Sequence, residues 1–392
     1  MAAPRRVLVV GGGIGGTAAA AALAQHGMDV LLIEKQPHFN APGVGLGQPA
    51  NSLRVLDALG VLPEVLDTGF QYDRMRYFDR NRSLIVEHKF QLGGPDVPAV
   101  CALSRAELHA ILLDAAHKAG VGTRLGTTAT AMEQRGDRVH VVFNDGSSDD
   151  FELVVGFDGI RSTTRTFAFG EIFEPVYSGY GAWRIQVPRP PEVDAMEFYQ
   201  GLGSKTGAMP LNHDVMYLFH IRPEEPGVWF PKEDNVRNLR ERLEGFGDHI
   251  GRTRDSLTDD SEIVYSPLEP NIVPPPWHNG RIVLGGDAAH TFPPHLTEGA
   301  GMALEDGYIL AQEVAQDRPV EESLQEYVRR RYARCAFVYT FSLQMLYAEQ
   351  MVKTPAQLEA ARRELRANGS ARIAASDRIL NAPVLNHQGV LL

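Results

Sequence analysis

The chain has 392 residues, 44% hydrophobic and 22% charged, an ordinary globular composition with room for two domains or one large elaborated one. A net charge of −11 argues against nucleic acid or an anionic membrane as main partner, and no apolar run reaches the length of a membrane span. Two cysteines, Cys101 and Cys335, with no C-x-x-C, exclude a disulfide framework and the dithiol flavoprotein reductases; with no leader ahead of a strand that starts by Val7, a cytoplasmic protein is expected.

Val7 to Val10 reads as a buried strand. Gly11, Gly13 and Gly16 follow at G-x-G-x-x-G spacing, with Ile14 and Gly15 between them, and an Ala-rich helix starts by Thr17. Val30 to Glu34 reads as the next strand, ending in Glu34 and Lys35. Strand, glycine turn, helix, strand and terminal acid together predict a dinucleotide-binding βαβ unit. Its glycines admit a tight turn and a pyrophosphate, and Glu34 sits where a carboxylate would bind ribose hydroxyls.

Pro37 to Gln48, with alternating Gly43, Gly45 and Gly47, is expected to be a loop passing close to something. A helix is predicted from Asn51 to Leu59, and strands over Tyr72 to Tyr77 and Leu84 to Lys89. Ser104 and Glu107 form a capping-box pattern opening a helix to about Ala119, stopped by Gly120. A hairpin runs from Val139 through Asn144-Asp145-Gly146 to a buried strand over Phe151 to Phe157, which ends at Asp158-Gly159. From Tyr177 to Val273 the chain reads as a separate sheet-based lobe, with strands at Trp183 to Val187, Met196 to Tyr199 and Val215 to Ile221 and a helix from Asn235 to Phe246. Arg281 to Leu284 is another strand, ending in Gly285-Gly286-Asp287. A helix opens at Gly299, and Glu322 to Glu349 is one long helix or two; the tail from Pro383 has little periodicity.

Three strand-end sites therefore stand out: the opening glycine turn, the segment from Gly156 to Arg165, and the segment from Gly286 to Asp306. In open α/β sheets ligands bind beyond the carboxyl ends of strands. In this order and spacing the three motifs resemble the single-component FAD-dependent aromatic hydroxylases related to p-hydroxybenzoate and salicylate hydroxylase, over the chain to about Ala333.

That resemblance implies an α/β fold: a Rossmann-like FAD-binding domain with an inserted β-sheet substrate domain and C-terminal helices. The implied division is 1–71, 101–176 and 276–335 for the FAD-binding domain, 72–100 and 177–275 for the substrate domain, and 336–392 for the C-terminal helices and tail. It implies that Gly11, Gly13, Gly16 and Glu34 hold the ADP half of FAD, with Ile14, Gly15 and Lys35 beside them. Arg105 would face the phosphate–ribityl side, where a guanidinium suits the charge. Asp158 belongs to a motif associated with FAD and the nicotinamide coenzyme, and Arg165 would meet phosphate or a structural acid. Asp287 would accept the ribityl hydroxyls. Gln48 and Pro294 would bracket the flavin ring. The helix start at Gly299, Ala300, Gly301 and Met302 would aim its N–H groups at the flavin pyrimidine edge. Glu305, Asp306 and His290 are expected to be structural.

The implied reaction takes NADH or NADPH, O2 and a small aromatic or heteroaromatic substrate of phenolic or hydroxypyridine acid type. It runs through a flavin C4a-hydroperoxide and adds one hydroxyl. A general base enriches the ring; His213 and Tyr217, four apart in the middle lobe, are the expected catalytic residues. Met209 with Pro294 would touch the substrate, and Arg184 would meet its charge. Met209 stands where many relatives carry tyrosine, so their substrates do not carry over directly. No metal is expected; a homodimer is possible through the middle lobe and C-terminal helices. The rival readings are a flavin epoxidase or tailoring oxygenase on a larger natural product, a halogenase (disfavoured by the single tryptophan in Trp183 to Pro188), an NAD-dependent dehydrogenase, and a non-enzymatic flavin-binding module.

Overall fold

The computed structural model describes residues 6–39 and 44–382; Gly43 of the glycine loop and the tail from Pro383 lie outside the described residues. Strand Arg6–Val10, with four of its five residues buried, forms the middle of a six-stranded sheet. Asp29–Glu34 and then Gly122–Leu125 lie parallel on one side of it. Leu153–Gly156 and then Ile282–Leu284 lie parallel on the other, and His278–Asn279 adds an antiparallel edge. Because the inner strands are parallel, the segments after Val10, Gly156 and Leu284 emerge at one edge. The three strand-end motifs thus converge.

Helix Ile14–Gln25 is buried almost all round, which its alanine run permits, and it packs against helices Arg105–Lys118 and Gly299–Val314. The capping box forms as expected: Glu107 N–H donates to Ser104 Oγ at 3.1 Å, and Ser104 N–H donates to Glu107 Oε2 at 3.0 Å.

The middle of the chain builds a seven-stranded sheet in the order Val264–Pro267, Tyr180–Pro188, Val215–Pro223, Lys205–Pro210, Met196–Gln200, Arg74–Phe78, Leu84–Lys89. Strand Lys205–Pro210 is not expected from the sequence: its polar start and terminal proline hide the pattern, yet all six residues are buried. Two long helices, Val320–Gln350 and Pro355–Asn381, close the chain, and the second packs on strand Leu84–Lys89. No helix among the described residues is long and apolar enough to cross a membrane.

Several expectations are corrected. The glycine loop contains a strand, Gly45–Pro49, paired antiparallel with Val100–Ser104, which also pairs with Phe70–Tyr72; a neighbour's backbone overrides glycine's low strand preference. The stretch expected as one strand from Phe151 to Phe157 is two. Ser148–Phe151 belongs to a small antiparallel sheet, and Leu153–Gly156 to the main one. Tyr72 to Tyr77 is likewise divided, between Phe70–Tyr72 and Arg74–Phe78. The helix from Asn235 ends at Arg242 rather than Phe246; of the two readings for 322–349, one long helix holds, as Val320–Gln350.

Candidate active site

The glycine turn is held by steric necessity. Gly11 has φ +104°, and a Cβ there would stand 2.4 Å from the Phe157 carbonyl oxygen; at Gly16 it would stand 1.9 Å from the Gly11 oxygen. At Gly13, by contrast, a Cβ would meet nothing within 4 Å, so the middle glycine faces open space at the helix N-terminus. The Gly12 N–H donates to Glu34 Oε2 at 2.8 Å, which ties the acid to the turn. Ile14 is buried at the helix start, Gly15 is half-buried beside it, and Lys35 is exposed just past the strand.

Across the groove, Arg105 opens its helix half-buried, with Nε lacking any partner. Burial lowers its pKa, Asp287 opposes that, and Arg184 adds to it, so both charged groups lie near. Asp287 is open along the groove yet hemmed in by protein; this crowding pushes its carboxyl up, against the pull of His290 and Arg105. Gln48 is fully buried in strand Gly45–Pro49 with its Oε1 unpartnered. An open glycine cradle at a helix N-terminus, an unpaired guanidinium nitrogen and an acid in a groove match the phosphate and polyol ends of a flavin dinucleotide.

Gly45 and Gly47 lie two apart and so turn the same face outward. A Cβ on Gly45 would meet Leu211 and Tyr217; one on Gly47 would meet Thr297, Met209 and Tyr72. This face joins the seven-stranded sheet to the turn Pro294–Leu296, whose Pro294 is exposed. Beyond Gly47 and Thr297 lies a cavity of about 240 Å³, walled by Met75, Met196, Phe341, Met345 and Ile373 and bordered by His295.

A family model described as "FAD binding domain" matches residues 5–342. The chain belongs to this FAD-binding family. It is 31% identical to the 2-heptyl-3-hydroxy-4(1H)-quinolone synthase of Pseudomonas aeruginosa strain UCBPP-PA14 over 338 residues, covering 85% of this chain and 86% of that protein. Identity to 3-hydroxybenzoate 6-hydroxylase 1 of Aquipseudomonas alcaligenes is 29%, over 86% of this chain and 87% of the relative. Among solved structures, a variant of Klebsiella pneumoniae HpxO complexed with FAD superposes with a TM-score of 0.86 at 25% identity, covering 97% of this chain and all of that one. The protein is an FAD-dependent aromatic monooxygenase.

Within this monooxygenase the sequence-derived residues fall into three groups. Gly13 is open at the first strand-end turn, to which Glu34 is tied, and Asp287 and Arg105 lie near each other, while Gly11 and Gly16 are packed inside the turn itself. Asp158 is different: its Oδ2 accepts from Thr163 Oγ1, Thr164 N–H and Thr164 Oγ1, and its Oδ1 from Ser162 Oγ. That carboxylate is taken up by its own turn. Arg165 donates to the Ala288 and Ile160 carbonyls, with Glu174 and Asp158 near enough to oppose the lowering of its pKa by burial. Glu305, Asp306 and His290 are structural, as expected. Glu305 pairs with Arg331 and Arg334, and Asp306 with Arg331 and His290. Gly299–Val314 begins as expected, with the Met302 N–H donating to the Glu298 carbonyl at 2.8 Å; Gly299 is exposed, Ala300 half-buried and Gly301 buried.

The expected catalytic pair is not on one strand. Tyr217 lies in Val215–Pro223 beside Gly45, where burial raises its phenol pKa and neighbouring Arg184 opposes the rise. His213 is in the exposed turn before that strand, edge-on to Phe70 at 5.8 Å. Arg184 donates to Ser266 Oγ at 2.6 Å. Met209 pairs in register with Tyr217. The residues sequence reasoning missed are Lys205, His295 and Glu349. His295 stands inside the third motif, but nothing in the sequence links it to the other two.

Proposed function

We propose that this monooxygenase uses NADH or NADPH and O2 to add one hydroxyl to a small aromatic or heteroaromatic substrate of phenolic or hydroxypyridine acid type. The observation that carries the reading is the cavity beside Gly47 and Thr297, closed by the C-terminal helices and set against the face that meets Pro294. FAD supplies the oxygen chemistry when bound. The chain's own part is to hold it, exclude water and orient the ring. Gly13 and Arg105 would take the phosphates, Asp287 the ribityl hydroxyls, Gln48 and the helix start at Gly299 the ring system. In this reading the seven-stranded sheet is the substrate-binding part, with Met209 and Tyr217 toward the ring. Arg184, beside Tyr217, would meet the substrate's charge at that end. His213, on its exposed turn, is the weaker of the two catalytic candidates. A cytoplasmic homodimer fits the composition and the long terminal helices.

The test is NAD(P)H consumption by the FAD-loaded protein over a panel of phenolic acids, hydroxypyridines and larger phenols, with product and peroxide both measured. A single small ring that speeds oxidation and gains one oxygen is the expected result. Slow oxidation with every small ring, but coupled turnover of a large phenol, would move the reading to a tailoring oxygenase.

A further inference from the structure

Three side chains far apart in sequence meet at the edge of the cavity. His295 is 4% exposed, and its Nε2 lies 3.2 Å from Glu349 Oε2. Lys205, 3% exposed, donates from Nζ to Glu349 Oε1 at 2.7 Å. His295 Nδ1 is buried and has no partner, although the residue borders the cavity together with Tyr72 and Thr297. A buried polar nitrogen without a partner is costly, and such groups call for a ligand or a function.

The charges decide which nitrogen carries the proton. Burial would raise the Glu349 carboxyl, but Lys205 and His295 hold it down to about 2, so it is ionised. Burial and Lys205 lower the His295 pKa against the pull of Glu349, so the ring is neutral near neutral pH. A neutral imidazole beside a carboxylate donates its one N–H there, from Nε2. Nδ1 is left as a bare acceptor.

Resting on the hydroxylation reading above, we propose that His295 Nδ1 accepts the proton of the substrate's ring hydroxyl, with Glu349 and Lys205 as positioning residues. The O–H bond breaks, the Nδ1–H bond forms, and the electron pair stays on oxygen and enriches the ring. The imidazolium formed faces the Glu349 carboxylate, which stabilises it as the acid of a nucleophile–histidine–acid triad does. Lys205 keeps that carboxylate charged and fixed.

The other ionisable groups around the cavity do not compete. Burial pushes the Tyr72 and Tyr77 phenols up, and Glu298 has its Oε2 taken up by the Asn51 amide, which donates to it at 3.0 Å. On the last helix Arg372 is paired with Glu364, and Asp377 accepts the Gln91 N–H.

The test uses 4-nitrophenol, whose phenolate absorbs in the visible, bound to the FAD-loaded protein across a pH series. In the wild type the bound dye should ionise roughly one pH unit or more below the free dye, a tenfold change in proton affinity. In His295→Gln that shift should vanish. His295→Asn serves as a second variant should the first fail to fold. Lys205→Met/Glu349→Gln, which leaves no unpaired buried charge, should lose part of the shift. A shift retained in the His295 variants, or no dye binding by the wild type, overturns the proposal. Failure of the panel experiment with the dye shift still lost in His295→Gln would instead sink the hydroxylation reading and leave the proton site standing.

Discussion

Asp306 holds the buried His290 imidazole at 2.6 Å, and the same carboxylate oxygen accepts the Gly286 N–H at 2.9 Å. One side chain from helix Gly299–Val314 thereby fixes the turn that presents Asp287 to the groove. Burial would keep His290 neutral, but Cys335 and Asp306 raise its pKa to about 10. A histidine raised in the folded state contributes stability that is whole below its unfolded pKa of about 6.5 and lost as pH rises through the folded value. Urea midpoints should therefore fall between about pH 6.5 and 10, and fall less in His290→Asn. Equal slopes for the two proteins would refute the assignment.

Arg331 is fully buried and bridges Glu305 and Asp306, while also donating to the Met302 carbonyl. Arg331→Met leaves those acids short of a cation. The expected cost is about 3–5 kcal/mol, read from denaturant unfolding. A loss within about 1 kcal/mol, as for a surface pair, would show that Arg334 and His290 suffice.

The glycine turn separates folding from cofactor binding. Gly16→Ala forces its Cβ into the Gly11 carbonyl oxygen and should yield little folded protein. Gly13→Val has room in the protein itself and should fold with normal circular dichroism, but purify without flavin. Flavin retained by Gly13→Val would place the pyrophosphate elsewhere.

Arg105→Met should weaken FAD binding roughly 10- to 100-fold, the range for one charge-assisted hydrogen bond, with little change in thermal stability. Its Nε has no protein partner to lose. Fluorescence titration of the apoprotein with FAD measures the change, and unaltered affinity would remove Arg105 from the site.

What could be read from the residues in order was local. The strand–glycine–helix unit, the Ser104–Glu107 box and the structural roles of Glu305 and Asp306 follow from short-range sterics, capping and charge burial. The strand Gly45–Pro49 could not be read, because its pairing partner lies more than fifty residues on and its own residues favour a loop. The turn at Asn212 to Asp214 that parts His213 from Tyr217 was legible as a turn signal, but where the strand begins after it, at Val215, was not. The sequence by itself determined the strand, glycine turn, helix and strand of the N-terminal βαβ unit, since turn geometry and strand periodicity act between neighbours. Only the tertiary structure decided that three strand ends share one groove and that Lys205, His295 and Glu349 share one cavity edge. Parallel strand order and helix packing set those meetings, and they act between residues as far apart as Val10 and Gly156 or Lys205 and Glu349.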